Sequence, residues 1–298
     1  MEIFRALAVL AEAPDRAEVA RPAAALGLGG PPGADEHTEL FVFQLYPYAS
    51  VYLGAEGMVG GEARDRVEGF WRALGQEPPA EADHLAVVLA AYARLAELAE
   101  GAGGDGGRAS GDDEGARANW GRARRAFLWE HVLSWLPAYL DKLVGVAPPF
   151  YRGWGELLAG ALLSEARAQG PAPEALPLHL RAAPALSRPG EHGAEEFLRS
   201  LLAPARSGII LARADLQRAA RALGVGARPG GRAFTLKSLL GQEPAAVLGW
   251  LAAEAEGWAA RHASRRATLG PLAAWWETRA TETAEFLKEL RDEAAAGP

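Results

Sequence analysis

The sequence predicts an all-α protein, and three observations support this: its composition, its hydrophobic periodicity and its helix-start signals. Alanine occupies 65 of the 298 positions, whereas the β-branched residues valine, isoleucine and threonine together occupy 22. Alanine favours helices and β-branched residues favour strands. The composition therefore indicates helices rather than a sheet along the whole chain.

Periodicity locates the helices more closely. Residues 85–99 and 272–290 carry apolar side chains at spacings of three and four, which is typical of amphipathic helices that face a core. Asp83 is placed to N-cap the first of these helices. Pro244 occupies a first-turn position ahead of a further apolar repeat that reaches Trp258.

Breaks in this periodicity divide the chain. The Gly/Asp-rich stretch at 101–115 predicts a loop, and the Pro/Ala-rich stretch at 170–190 predicts a domain boundary. We expect a helical bundle domain at residues 1–170, a linker at 171–190 and a helical C-terminal extension at 191–298.

The absence of cysteine excludes disulfides, thiolate metal sites and a cysteine nucleophile. The N-terminus lacks a secretory signal, and the most apolar window, residues 40–53, is interrupted by Gln44 and Pro47. That window is too short to span a bilayer. These features predict a cytoplasmic protein with no integral membrane segment.

Charge is distributed unevenly. Residues 1–100 contain 7 Arg, no Lys and 16 Asp plus Glu, although the net charge of the whole chain is only -7. Acidic surfaces attract cationic partners and repel phosphates, so we expect no nucleic-acid partner. An acidic solvated surface without a specific partner is the alternative explanation.

Motifs of common enzymes are absent, including the P-loop, the serine elbow and the HExxH zinc motif, and the six histidines lack metal-ligand spacing. A GxGxxG pattern at Gly101, Gly103 and Gly106 follows a predicted helix rather than a strand, which argues against a phosphate cradle. We expect no metal, no cofactor and no catalytic residue. The adjacent Asp83 and His84 leave an acid–base dyad open, with a helix cap and a half-buried histidine as the alternative.

Residues 127–143 are rich in aromatic side chains. If the segment is helical, five of its aromatic and aliphatic side chains share one face: Leu128, Val132, Trp135, Tyr139 and Leu143. Pro137 should kink or divide this helix, because proline removes a backbone donor and clashes with the preceding turn. Aromatic residues in this pattern usually form core, but a kinked Trp/Tyr-rich helix also suits a groove for an apolar peptide.

Several short stretches with distinctive residues follow one another along the chain. They are YPYASVYL at 46–53, EADHL at 81–85, WEH at 129–131 continuing to Trp135 and Pro137, and PFYR at 149–152 followed by GEL at 155–157. Together they resemble the TorD/DmsD/NarJ family of cytoplasmic chaperones, which mature molybdenum-containing redox enzymes. The resemblance covers roughly residues 40–165. The segment after residue 190 lies outside it.

The resemblance implies an all-helical chaperone that is not an enzyme. Such a chaperone binds the twin-arginine signal peptide and the apo-form of a molybdoenzyme catalytic subunit, assists cofactor insertion and delays export. Residues expected in or near the peptide groove are Tyr48, Tyr52, Glu81, Asp83, His84, Trp129, His131, Trp135, Pro137, Phe150 and Tyr151. Within this set, Glu81 and Asp83 are our choice for a carboxylate pair that faces the arginines.

Two alternatives stay open at this point. The chain resembles assembly factors for non-exported molybdoenzymes, such as a nitrate reductase, as well as leader-binding chaperones. An enzyme that uses Asp83 and His84 is the other alternative. The sequence does not identify the client, and it leaves open whether the protein forms a homodimer.

Overall fold

The computed structural model describes residues 1–14, 18–101 and 111–296, without the side chains of 111–113. These residues form helices and no strand, which confirms the predicted all-α class. A lone β-bridge pairs Tyr48 with His84. Across these same ranges, no helix is both long enough and apolar enough to cross a membrane.

The helices of the first part of the chain are α1 (Glu2–Leu10), α2 (Ala20–Ala25), α3 (Ala34–His37), α4 (Ala49–Leu53), α5 (Glu62–Ala73), α6 (Leu85–Glu100), α7 (Gly111–Phe127), α8 (Leu136–Val146) and α9 (Pro149–Ala168). Two π-helical segments, Thr38–Gln44 and Leu128–Val132, follow α3 and α7 directly.

The helices of the second part are α10 (Leu178–Ala182), α11 (Pro189–His192), α12 (Ala194–Leu201), α13 (Pro204–Ser207), α14 (Arg213–Leu223), α15 (Arg232–Leu240), α16 (Pro244–Ala263), α17 (Arg266–Leu269) and α18 (Pro271–Ala296).

The chain forms two compact units that interleave in sequence. The first contains Met1–Val42, Tyr46–Ala49 and Gly60–Gly170. Its core is built where α6 packs against α1 and α7, and where α8 packs against α9. Burial of apolar surface along these contacts is the main force that holds the helices together.

A buried polar network ties three helices of this first unit. Tyr92 of α6 donates its hydroxyl hydrogen to Glu165 Oε1 of α9 at 2.5 Å, and Arg124 Nη2 of α7 donates to the same oxygen at 2.6 Å. The Arg124 and Glu165 side chains are only 11% and 10% exposed. Because the charges are paired and hydrogen-bonded, the network tolerates its burial.

The second unit contains Phe43–Leu45, Ser50–Val59 and the chain from Pro171 onward. Its core is the packing of α16 against α18, where His262 stacks on Trp258 and its Nε2 donates a hydrogen bond to the Gly208 carbonyl at 3.1 Å. Gly208 has φ +73, and a Cβ there would lie 2.4 Å from the backbone nitrogen of Ala280. Only glycine permits this close approach.

Several sequence predictions are confirmed, among them α6, α16 and α18, with Pro244 in the first turn of α16. Pro137 lies in the first turn of α8 and separates that helix from the π-helical segment Leu128–Val132, as expected from its missing N–H. Two predictions are wrong in detail. His84, and not Asp83, is the N-cap of α6, and α7 begins at Gly111, inside the predicted loop.

Two further predictions are not decided by this fold. Gly103 and Gly106 of the GxGxxG pattern lie outside the described residues. The predicted linker at 171–190 contains α10, in which His179 and Leu180 are buried. The division into domains at 1–170 and 191–298 stays a prediction.

Candidate functional site

The start of α6 brings together four of the residues singled out in the sequence. His84 adopts an extended backbone conformation as the N-cap, and its Nδ1 accepts a hydrogen bond from the Ala86 N–H at 3.2 Å. The helix start is anchored from the neighbouring segment, because the Ala49 N–H donates to the Asp83 carbonyl at 3.0 Å and the Leu85 N–H donates to the Pro47 carbonyl at 2.7 Å. This pairing places Tyr48 beside His84.

Tyr48 links the two sides of this arrangement. Its hydroxyl donates to Glu81 Oε1 at 3.0 Å, and its ring meets the His84 ring edge-on at 5.0 Å. Partial burial, together with the hydrogen bond to Glu81, raises the pKa of Tyr48 to about 12. The phenol therefore stays protonated and keeps Glu81 in place as an acceptor.

Three carboxylates act on His84 without charging it. Burial lowers the pKa of His84, and this effect exceeds the opposing effects of Glu12, Glu81 and Asp83. A neutral imidazole suits the capping role, since Nδ1 must be free to accept. The neighbouring Asp83 therefore does not raise the pKa of His84 above its usual value.

A cavity of about 320 Å³ lies beside this cluster, between α1 and α6. We call it the α1–α6 cavity, and its lining residues are Arg5, Ala8, Val9, Glu12, Glu18, Ala86 and Ala90. Small side chains form its apolar part, while Glu12 and Glu18 contribute carboxylates. Arg5 is already paired with Glu97 at 2.6 Å. In the described part of the chain, the cavity thus combines an apolar surface with the carboxylates of Glu12 and Glu18.

Sequence reasoning missed Glu12 and Glu18 as individual residues. The only signal that pointed to them was the acidity of residues 1–100. Conversely, Asp83, chosen as an arginine-facing carboxylate, is only 1% exposed and cannot present a surface carboxylate in this conformation. Glu81, its predicted partner, is exposed.

The aromatic segment forms core rather than an open groove. The side chains of Trp129, His131 and Trp135 are buried. His131 lies with its ring 5.3 Å from both Phe70 and Phe127, and the Trp135 Nε1 donates to the His131 carbonyl at 2.9 Å. Burial, aided by the nearby Arg66, lowers the pKa of His131 to about 4. Pro137 is buried with the first turn of α8.

Phe150 and Tyr151 belong to a separate aromatic cluster at the start of α9. The Tyr151 ring lies 5.1 Å from both Phe41 and Phe150, and it is fully buried. Burial raises the pKa of its hydroxyl, which has no hydrogen-bond partner among the described residues. Phe150 is half-buried.

Tyr52 is also buried and belongs to the second compact unit. The structure therefore unites Tyr48, Glu81, Asp83 and His84, and it places the remaining predicted residues in core positions or in a separate cluster. Their part in peptide binding stays a prediction. Within the described ranges, no group of three or more histidine or acidic side chains could hold a metal ion.

Part of the chain matches a known protein family. The match covers residues 33–141, which are similar to the nitrate reductase delta subunit family. That family is part of the TorD/DmsD/NarJ group, so the resemblance is confirmed over this segment. The segment contains the Tyr48–His84 cluster and ends after Pro137. No curated protein matches the chain.

Proposed function

We propose that this protein is a cytoplasmic assembly chaperone that binds the twin-arginine leader of an apo-molybdoenzyme and delays its export until the cofactor is inserted. It acts by binding and not by catalysis. The observation that carries the proposal is the α1–α6 cavity, in which Glu12 and Glu18 lie beside the cluster around His84.

The chemistry of the cavity suits an arginine-bearing peptide. A twin-arginine leader presents two guanidinium groups followed by an apolar stretch. Guanidinium forks bind carboxylates through two parallel hydrogen bonds, and such pairs strengthen when water is excluded. Glu12 and Glu18 supply carboxylates, while Ala8, Ala86 and Ala90 supply apolar surface in the same cavity.

Glu81 extends this acidic surface. It is exposed, and the Tyr48 hydroxyl holds one of its oxygens at 3.0 Å. Its other oxygen stays available to a guanidinium. In the proposed arrangement Glu12, Glu18 and Glu81 contact the arginines, whereas buried Asp83 supports the helix start through its carbonyl.

A second candidate function is the assembly of a molybdoenzyme that is not exported. The family match to the nitrate reductase delta subunit favours it. In that case the same carboxylates would bind a basic segment of a nitrate reductase catalytic subunit that carries no twin-arginine leader. A homodimer is compatible with either candidate.

Calorimetric titration with a synthetic twin-arginine leader and its double-lysine variant tests the proposal. We expect micromolar binding that weakens at least tenfold, or about 1.4 kcal/mol, when both arginines become lysine, because lysine keeps the charge but lacks the fork. The double variant E12Q/E18Q should weaken binding by a similar factor. The control E2Q removes one charge from α1 outside the cavity and should leave affinity within twofold.

Two outcomes would count against the leader-binding proposal. Equal affinity for the two peptides, together with unchanged binding by E12Q/E18Q, would refute the role of the cavity. An absence of binding to either peptide would favour the second candidate, which co-purification with a leaderless nitrate reductase catalytic subunit would then test.

A further inference from the structure

The second compact unit contains a strongly basic segment within an acidic protein. Residues 213–242 include five Arg and one Lys but only one acidic residue, Asp215, whereas the whole chain has a net charge of -7. Concentrated positive charge in a small region attracts anions and raises their local concentration. The segment covers α14, the following Gly/Pro-rich loop and α15.

This segment encloses a cavity of about 130 Å³. We call it the Arg213–Arg228 cavity. Its lining includes Arg213, Leu216 and Gln217 from the first turns of α14, and Arg228, Pro229 and Gly230 from the loop. Among the residues that the structure describes, no acidic side chain lines it. The helix start, where backbone N–H groups carry partial positive charge, adds to the positive potential.

The two arginines of this cavity lack carboxylate partners in the described part of the chain. Arg213 is half-buried and lies over the Phe43 ring, with 5.6 Å between its guanidinium carbon and the ring centroid. Arg228 is exposed and contributes only its backbone carbonyl, which accepts from the Thr235 hydroxyl at 3.2 Å. Both guanidinium forks therefore retain their donors for a ligand.

The nearby carboxylate cannot neutralise them, because it is already committed. Asp215 accepts from the Ala212 N–H at 2.7 Å and from Arg218 Nη2 at 2.8 Å. Arg218 is satisfied in addition by Glu254 at 2.8 Å. The unit thus pairs Arg218 internally but leaves Arg213 and Arg228 unpaired on the cavity that they share.

We propose that the Arg213–Arg228 cavity binds the phosphate group of a small phosphomonoester. Two arginines and the Gln217 amide offer several N–H donors, which match the tetrahedral array of phosphate oxygens. Gly230 adds no side chain to the space. Leu216 and Pro229 provide apolar contact for the carbon that bears the phosphate.

The size of the cavity restricts the ligand. At about 130 Å³ it is smaller than the roughly 300–1,000 Å³ of typical small-molecule pockets. It accommodates a phosphate group with a few carbon atoms, so the rest of a larger ligand would have to lie outside. The site is independent of the leader-binding surface, since it uses none of the same residues.

Phosphorus-31 NMR titration with inorganic phosphate at constant ionic strength tests the proposal. We expect saturable binding that weakens at least fivefold in R228Q, which removes an exposed side chain without a packing role. R213Q should weaken it similarly, with the melting temperature as a check on folding because Arg213 packs over Phe43. The control R221Q removes an exposed arginine of α14 that does not line the cavity, and it should retain the affinity within twofold.

Glutarate distinguishes phosphate from a carboxylate ligand, such as an acidic side chain of a partner protein. Stronger binding of phosphate than of glutarate supports the proposal, and stronger binding of glutarate overturns it. An equal loss of phosphate affinity in R221Q and R228Q, or the absence of saturation, would also overturn it, because either result indicates only diffuse charge attraction.

Discussion

At the scale of single residues, burial decides which histidines can carry charge. His131 sits between two phenylalanine rings in the first unit, and its pKa of about 4 lies well below the value of 6.5 expected in water. The unfolded chain therefore takes up a proton on this histidine at a pH where the folded chain does not. His84 is shifted in the same direction.

This difference predicts that stability falls as the pH falls below about 6.5. In that range the unfolded state binds more protons than the folded state, which lowers the free energy of unfolding. For His131 alone, we expect a loss of about 2 kcal/mol between pH 7.5 and pH 5. Urea unfolding, followed by tryptophan fluorescence at both pH values, measures it.

The variant H131Q isolates this contribution, because glutamine does not titrate. Whatever its stability at pH 7.5, H131Q should lose clearly less stability than the wild type on acidification. The variant H192Q, at an exposed position, serves as the control and should lose as much as the wild type. An unchanged loss in H131Q would contradict the prediction.

At the scale of helices, the sequence predicted the elements better than their ends. The periodicity of residues 85–99 identified α6 because its apolar face is continuous from Leu85 onward. It could not predict His84 as the cap, because aspartate is the usual capping residue and the choice depends on the pairing with Pro47 and Ala49. Nor does the spacing of residues in the sequence reveal the π-helical segment Leu128–Val132. There the backbone hydrogen bonds span five residues instead of the four of an α-helix.

The network of Tyr92, Arg124 and Glu165 predicts how strongly α6, α7 and α9 depend on one another. The variant E165Q removes the buried counter-charge of Arg124 and leaves it only the exposed Glu100, which lies 3.3 Å from Arg124 Nη1. We expect this to lower the free energy of unfolding by about 3 kcal/mol, since breaking a buried ion pair costs far more than breaking an exposed one. Chemical denaturation measures the change.

An exposed ion pair provides the comparison. Arg188 and Glu289 approach to 3.8 Å, and their side chains are 57% and 59% exposed. E289Q should therefore cost less than about 1 kcal/mol. If E165Q and E289Q destabilised the protein equally, the network would have no special role in joining the three helices.

At the scale of the whole molecule, the candidate site depends on contacts that no local pattern contains. Tyr48, Glu81 and His84 could be selected from short motifs, because they lie within stretches that resemble a known family. Glu12 and Glu18 could not, since they reach the same surface only through the packing of α1 against α6. The burial of Trp129 and Trp135 also follows from tertiary packing, because an aromatic face looks the same in sequence whether it lines a groove or fills a core.

The separation of charge along the chain predicts a salt-dependent interaction with the leader. The excess of acidic residues before residue 100 should attract a cationic peptide from a distance, and added salt screens that attraction. We expect the affinity for the twin-arginine peptide to fall roughly fivefold between 50 and 500 mM NaCl. Calorimetry at several salt concentrations measures it, with E12Q/E18Q expected to give a shallower dependence. A salt-independent affinity would contradict this prediction.

The interleaved units have a consequence for the order of events during synthesis. The segments Phe43–Leu45 and Ser50–Val59 are made early, yet they belong to a unit whose remaining residues begin at Pro171. At about 10 residues per second, a ribosome needs roughly 10 s to bridge that interval. During this time Leu45, Val51 and Tyr52, which are buried in the finished protein, have no completed core to enter. The helices of the first unit can pack together while translation continues. The second unit can complete its core only after α16 and α18 have been made.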